Sequence, residues 1–190
     1  MKAQRVVGVL GAALALVLVV GGCGGNGSGG SNKVTVTGQA NYPQANGGEP
    51  VGNARFVIID PDHANDPLAA DTSTADGRYF GVIRKTVSVA VILSGSVNGE
   101  AIRVSGLIPA DSNNNGKQLD GRTDIACEAG VQAVIDGDII GNDLDPLRIQ
   151  ILEDAAARFV ATTDFTDPAS VTAAANQVRA LTDDGEHPAS

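Results

Sequence analysis

The spacing of apolar residues changes once along this chain, and that change limits what it can fold into. Between Val34 and Ile108 apolar side chains recur at every second position, as a strand with one buried face requires. From Thr123 onward they recur at helical spacing. Val34-Thr35-Val36-Thr37 alternates. Ala54 to Ile59 is apolar apart from Arg55, which predicts a strand lying between two layers. Val87, Val89, Val91 and Leu93 share one strand face, and Ser88, Ala90 and Ile92 share the other. Ile102, Val104 and Ile108 alternate with Arg103, Ser105 and Leu107. Between these last two strands stands Asn98-Gly99, a pair that tolerates positive φ and marks a hairpin. Asp76-Gly77 marks a second turn, ahead of Arg78-Tyr79-Phe80, where both aromatics are expected to begin a strand with large buried surface. Arg84-Lys85 separates two strands and blunts an edge.

In the second part, Thr123 or Asp124 is expected to cap a helix running to about Ile135. Asp145-Pro146 pairs a cap with a residue suited to the first helical position. Its helix is expected to bury Leu147, Ile151, Leu152, Ala155 and Phe159. Asp167-Pro168 repeats the device ahead of Val171, Ala175, Val178 and Leu181. Alanine-rich helices this short bury little alone, so at least one must pack on the strands. The expected fold is mainly β with a C-terminal α region, a small β-sandwich followed by about three short helices. Residues 34–108 form the sandwich, 109–122 a polar loop, 123–181 the helical region packed on it and 182–190 a disordered tail.

The first 33 residues follow different rules. Lys2 and Arg5 precede an apolar run from Val6 to Val20, which is 15 residues long. That is short of the roughly 20 that cross a bilayer as a helix. The run ends in Val20-Gly21-Gly22-Cys23, and the stretch resembles the signal and lipobox of bacterial lipoproteins. The resemblance implies a signal peptide over 1–22, cleavage before Cys23, diacylglycerol on its sulfur and an acyl group on the new N-terminus. Gly24 rather than Asp follows, which by the same resemblance permits outer-membrane sorting where a cell has that membrane. Residues 23–33 then read as the lipidated cysteine and a flexible Gly/Ser tether. Nine such residues reach about 15–18 Å.

Cleavage would remove two basic residues and no acid, taking the formal charge from −9 to −11 over 168 residues. Such an acidic chain argues against nucleic acid and against peripheral binding to anionic lipid. With Cys23 lipidated, Cys127 has no partner in the chain. It is expected to be a small buried hydrophobe in a helix.

Three stretches carry a second resemblance: Val34-Thr35-Val36-Thr37-Gly38, Pro50-Val51-Gly52-Asn53-Ala54-Arg55-Phe56-Val57 and Thr74-Ala75-Asp76-Gly77-Arg78-Tyr79-Phe80. Together they resemble the carboxypeptidase regulatory-like domain, a small Ig/transthyretin-like β-sandwich. The resemblance spans residues 34–108 and implies a non-catalytic docking, stabilising or adhesive module. Transthyretin-like folds also include a hydrolase of the urate pathway that uses histidines and a characteristic C-terminal tetrapeptide. Here the last residues are Glu186-His187-Pro188-Ala189-Ser190 and no predicted strand holds a histidine, so that activity is not expected.

For metal chemistry the strongest candidate is the run from Asp111 to Asp120. Oxygens at Asp111, Asn113 and Asn115, with Gly116 sixth, follow the start of an EF-hand-like calcium loop. Arg122 stands twelfth, where a bidentate acid belongs, so Asp120 or Asp124 would have to supply a carboxylate in another geometry. The competing reading is a polar linker rich in turn-forming Asn. Asp136, Asp138, Asp143 and Asp145 form a second acidic stretch, read chiefly as a loop whose last acid caps a helix. His63 lies among Asp60, Asp62 and Asp66, too few nitrogen and sulfur ligands for zinc. No Gly-x-Ser-x-Gly elbow or cysteine–histidine pairing points to nucleophilic catalysis. With no Trp, carbohydrate stacking has little to use; Tyr42 is the residue to test. The expectation is thus a non-catalytic cell-envelope lipoprotein. It would be lipid-anchored and extracytoplasmic, with the membrane and an envelope protein as partners. A calcium-stabilised adhesion module is the alternative, and an enzyme or accessory subunit of one is a remoter one.

Overall fold

A computed structural model describes residues 33–42, 48–84, 87–110 and 115–183, all within one compact unit. Seven strands precede and adjoin three helices. The strands are β1 (Lys33–Ala40), β2 (Arg55–Ile59), β3 (Ala69–Thr72), β4 (Arg78–Arg84), β5 (Val89–Val97), β6 (Glu100–Ile108) and β7 (Asn115–Leu119). The helices are α1 (Gly121–Asp136), α2 (Pro146–Ala156) and α3 (Pro168–Asp183). One sheet has the order β4-β1-β7 and the other β3-β2-β5-β6. All pairings are antiparallel except β1 with β7.

The centre of the four-stranded sheet, β2 with residues 89–93 of β5 and 104–108 of β6, is largely buried on both faces, as the double-sided apolar strands predict, while β3 at its edge is mostly exposed. Phe56, Ile58, Val89, Val91, Leu93, Ile102, Val104 and Ile108 face the three-stranded sheet and fill the inter-sheet core with Val36, Tyr79 and Leu119. Val57, Ile59, Ala90, Ile92 and Leu107 point the other way and meet the helices through Ile125, Ala126, Ala129, Ile149, Leu152, Ala175 and Val178. The molecule is therefore layered sheet, sheet, helix, with the helical region packed on the sandwich. Gly130 of α1 lies against this sheet, where a Cβ would be 2.8 Å from Leu107 Cδ1 and 3.1 Å from Leu144 Cδ2. The predicted hairpin joins β5 and β6: Asn98 and Gly99 both have positive φ, 52° and 85°.

Five expectations need correction. The stretch 109–122 is not wholly a loop, because Asn115–Leu119 pairs in parallel with the second half of β1. Its five residues include one apolar side chain, Leu119, so alternation could not reveal it. The first helix is capped by Asp120, three residues before Thr123, the earlier of the two expected caps, which is instead its third residue. Tyr79 is buried, but Phe80 points outward and is 60% exposed, as strict alternation in β4 demands. Leu147, expected inside, is 67% exposed in the first turn of α2, where Ile149 and Leu152 take the buried side. Helix α3 also continues through Asp183, beyond the expected start of the tail; residues 184–190 lie outside the described structure.

Leu107→Ala should therefore destabilise the fold by about 2–5 kcal/mol in urea unfolding, the cost of a cavity between sheet and helix. Leu147→Ala should stay within about 0.5 kcal/mol of the parent. Comparable losses at both sites would contradict the layer assignment.

Candidate functional site

Polar and charged side chains gather where layers meet, and the densest cluster joins β6 to α1. Arg103, Ser105 and Leu107 project from β6 toward the helix. Ser105 donates its hydroxyl to Asp124 Oδ1 at 2.6 Å, and Thr123 Oγ1 donates to the Ser105 carbonyl at 2.8 Å. Thr123 also completes a capping box: its amide donates to Asp120 Oδ1 at 3.0 Å and its hydroxyl accepts from the Asp120 amide at 2.9 Å. Arg103 lies 3.3 Å from Glu128 and 4.0 Å from Asp124. Asp124 is almost fully buried, whereas the Arg103 side chain is 43% exposed and its attraction is weakened by water. Burial wins, and the Asp124 carboxyl is pushed up to about 6.

Cys127, one turn further along α1, is fully buried, and burial pushes its thiol up to about 12. It is the small buried residue expected, with no thiolate available for chemistry.

Two further clusters tie the helices down. Glu153 of α2 is buried, pairs with Lys117 of β7 and lies 3.5 Å from Arg122 of α1. Arg179 of α3 grips Asp136 at 2.8 Å and Asp138 at 2.6 Å. Among the described residues, every buried side-chain nitrogen and oxygen has a hydrogen-bond partner.

The acidic stretches are used in the same way. Asp143 accepts from the Ile140 amide at 3.0 Å, and Asp145 caps α2 by accepting from the Arg148 amide at 2.7 Å. The structure thus divides Asp136, Asp138, Asp143 and Asp145 among an arginine and two backbone amides. Asp60 accepts from the Asp62 amide and contacts His63 Nδ1 at 3.1 Å, while Asp62 accepts from the Gly141 amide across the molecule at 3.0 Å. Of the calcium candidates, Asp111 and Asn113 lie outside the described residues, as does Cys23. Asn115 opens β7, and Asp120 holds the cap of α1. Among the described residues no three acids, histidines or cysteines stand together as a metal site, and no helix is long and apolar enough to cross a membrane. Tyr42 leans on the inter-sheet core with its hydroxyl 3.5 Å from Glu100.

The surface that alternation did not single out as a site is the outer face of β4-β1-β7. Register puts Lys33 opposite Arg84, Thr35 opposite Val82, Thr37 opposite Phe80 and Gln39 opposite Arg78. Phe80 and Val82 lie in the middle of this face and are largely exposed. Arg78 pairs with Asp76 at 2.9 Å at one end, whereas Lys33 and Arg84 have no acidic partner among the described residues. The three strands contain four basic residues and no acid. The signal was present in the sequence as the composition of those strands, but β7 had to be placed before they could be seen to share a sheet.

Compared with models of known protein families and with curated proteins, the chain matches none.

The Asp124 seam carries a pH signature. A carboxyl raised from 3.8 in the unfolded chain to about 6 in the fold binds its proton more tightly when folded. Its contribution favours folding below pH 4 and is lost as pH rises toward 6. Asp76, Asp136 and Asp164 pull the other way, held low first by hydrogen bonds from Thr74, Gln132 and Thr166. The comparison with Asp124→Asn isolates the seam: the stability of the parent relative to this variant should fall by up to about 3 kcal/mol from pH 4 to pH 7. Parallel stability curves would show that Asp124 titrates normally.

Proposed function

We propose that this chain is a non-catalytic cell-envelope lipoprotein, held by lipid at Cys23, whose folded domain binds or braces another envelope component. The observation that carries the reading is how the fold uses its buried ionisable groups. Asp124 and Glu153 each join one layer to the next, and Cys127 is sealed in the helical seam. The solvent faces, by contrast, are broad and of opposite character. The strands of the outer sheet have no acid, while residues 121–183 hold nine acids besides the buried Asp124 and Glu153, against four bases. Two unlike faces on a rigid, fully satisfied core suit a module that sits between two neighbours. The carboxypeptidase regulatory-like resemblance and the Gly/Ser tether ahead of β1 support the same role.

Crosslinking in intact cells with wild type and Cys23→Ser tests it. The wild-type protein should fractionate with membranes and crosslink to a specific extracytoplasmic partner. Cys23→Ser should leave the membrane fraction and lose that partner. A Cys23→Ser protein that stays in the membrane would refute the lipid anchor. Turnover of a substrate by the purified domain, abolished by one acid-to-amide change, would refute the non-catalytic role.

A further inference from the structure

We propose that the outer face of β4-β1-β7 rests on the anionic surface of the bilayer that carries the lipid, which fixes the orientation of the domain. This rests on the lipid anchor at Cys23. Lys33 and Arg84 would lie on headgroup phosphates, with Phe80 and Val82 at headgroup depth and the acidic helices turned outward.

Three observations converge on this face. Lys33 and Arg84 are direct cross-strand partners. Like charges in that relation oppose each other and cost stability, and no acid on these strands relieves them. An anion outside the domain would. Beside them, Val82 and Phe80 are 46% and 60% exposed, an apolar pair with Lys33 and Arg84 at one end and the Arg78–Asp76 pair at the other, so cation and apolar surface adjoin as at a membrane interface. Lys33 is also the first residue of β1 and follows Cys23 by ten positions. Even fully extended, ten residues span only about 33–36 Å, so this end of the sheet cannot stray far from the lipid.

The acidity of the whole chain does not oppose the arrangement. Apart from Glu153, which reaches Lys117 of β7, and Asp164, which acts on Tyr42 at the end of β1, the acids of the helical region belong to the layer behind the two sheets, each interlayer spacing being about 10 Å. At physiological ionic strength the screening length is about 8 Å, so the membrane acts on the cations that touch it far more than on acids two layers away. The same repulsion favours the sheet-down orientation.

The chain has no Trp, so one introduced tryptophan reports its own depth. The protein from Cys23 onward would be coupled through the Cys23 thiol to a maleimide phospholipid, Cys127 being buried. This secures the anchor whether or not cells lipidate Cys23, and it separates failure of the orientation from failure of the anchor. Phe80→Trp and Leu147→Trp would be compared on vesicles of brominated phosphatidylcholine with and without phosphatidylglycerol. Phe80→Trp should be quenched strongly with phosphatidylglycerol present, and Leu147→Trp should not. Lys33→Gln with Arg84→Gln, or high salt, should lower the docked population about tenfold or more. Arg84→Glu alone supplies a structural control. It sets an acid opposite Lys33, so it should raise the melting temperature while weakening the quenching. Equal quenching at both positions would overturn the proposal, as would quenching indifferent to phosphatidylglycerol and charge. So would a Phe80→Trp signal shielded equally without vesicles, which would point to a protein on this face.

Discussion

Everything in this fold depends on giving the four-stranded sheet a cover on each side. Its central strands are apolar on both faces over much of their length, and a sheet with one such face in water would be a site for aggregation. The three-stranded sheet covers one side. The helices cover the other, and they are set in place by the contact between Ser105 of β6 and the first turn of α1. That turn carries a cap, a buried carboxylate and a hydroxyl that reaches back to the strand, all within Asp120 to Asp124. A helix docked by apolar contact alone could slide. One held by directed hydrogen bonds at its start has a single register, and Gly130 then meets Leu107 where a larger side chain would not fit.

The outer sheet is organised by a comparable device. Tyr79 of β4 is buried beside Phe56, ring centroids 6.0 Å apart, and its hydroxyl donates to the Lys117 carbonyl at 3.0 Å. The bond passes β1 at Gly38, where any side chain would collide with both the hydroxyl and the carbonyl. It therefore ties one edge of the sheet to the other across the middle strand, at the point where the β1–β7 register shifts. Lys117 then links this same strand to Glu153 on α2. Through β7, the outer sheet and the helical layer touch at the rim while the middle sheet lies between them.

Much of this was legible in the sequence. Period-two alternation gave the strands, including the double-sided ones, because burial on two faces leaves no polar position to interrupt the run. Asn98-Gly99, Asp145-Pro146 and Asp167-Pro168 announced local geometry because each residue has a narrow conformational preference. Strand β7 was hidden because its pairing comes from β1, not from its own side chains: Asn115-Gly116-Lys117-Gln118 has no apolar member. Adjacent Tyr79 and Phe80 cannot share a strand face, so only one of them is buried, and Leu147 lies at the margin of the apolar stripe of α2, where Ile149 takes the inward place. The charge asymmetry was hidden for a related reason. Net charge averages over the chain, whereas a surface depends on which strands become neighbours.

That last point bears on how an acidic protein can carry a surface suited to anions. Charge acts over about 8 Å in physiological salt, a distance shorter than the thickness of one layer here. A three-layered fold can thus hold most of its acids on the helical side, and Lys33 and Arg84 without an acidic partner among the described residues on its outer sheet, without the two cancelling. The layering that the apolar pattern demands for burial is also what keeps the two charged faces electrostatically separate. Lys33 and Arg84 stand opposite each other and have no acidic partner among the described residues, which on the proposal made above is the position of a pair whose counter-charge lies outside the domain.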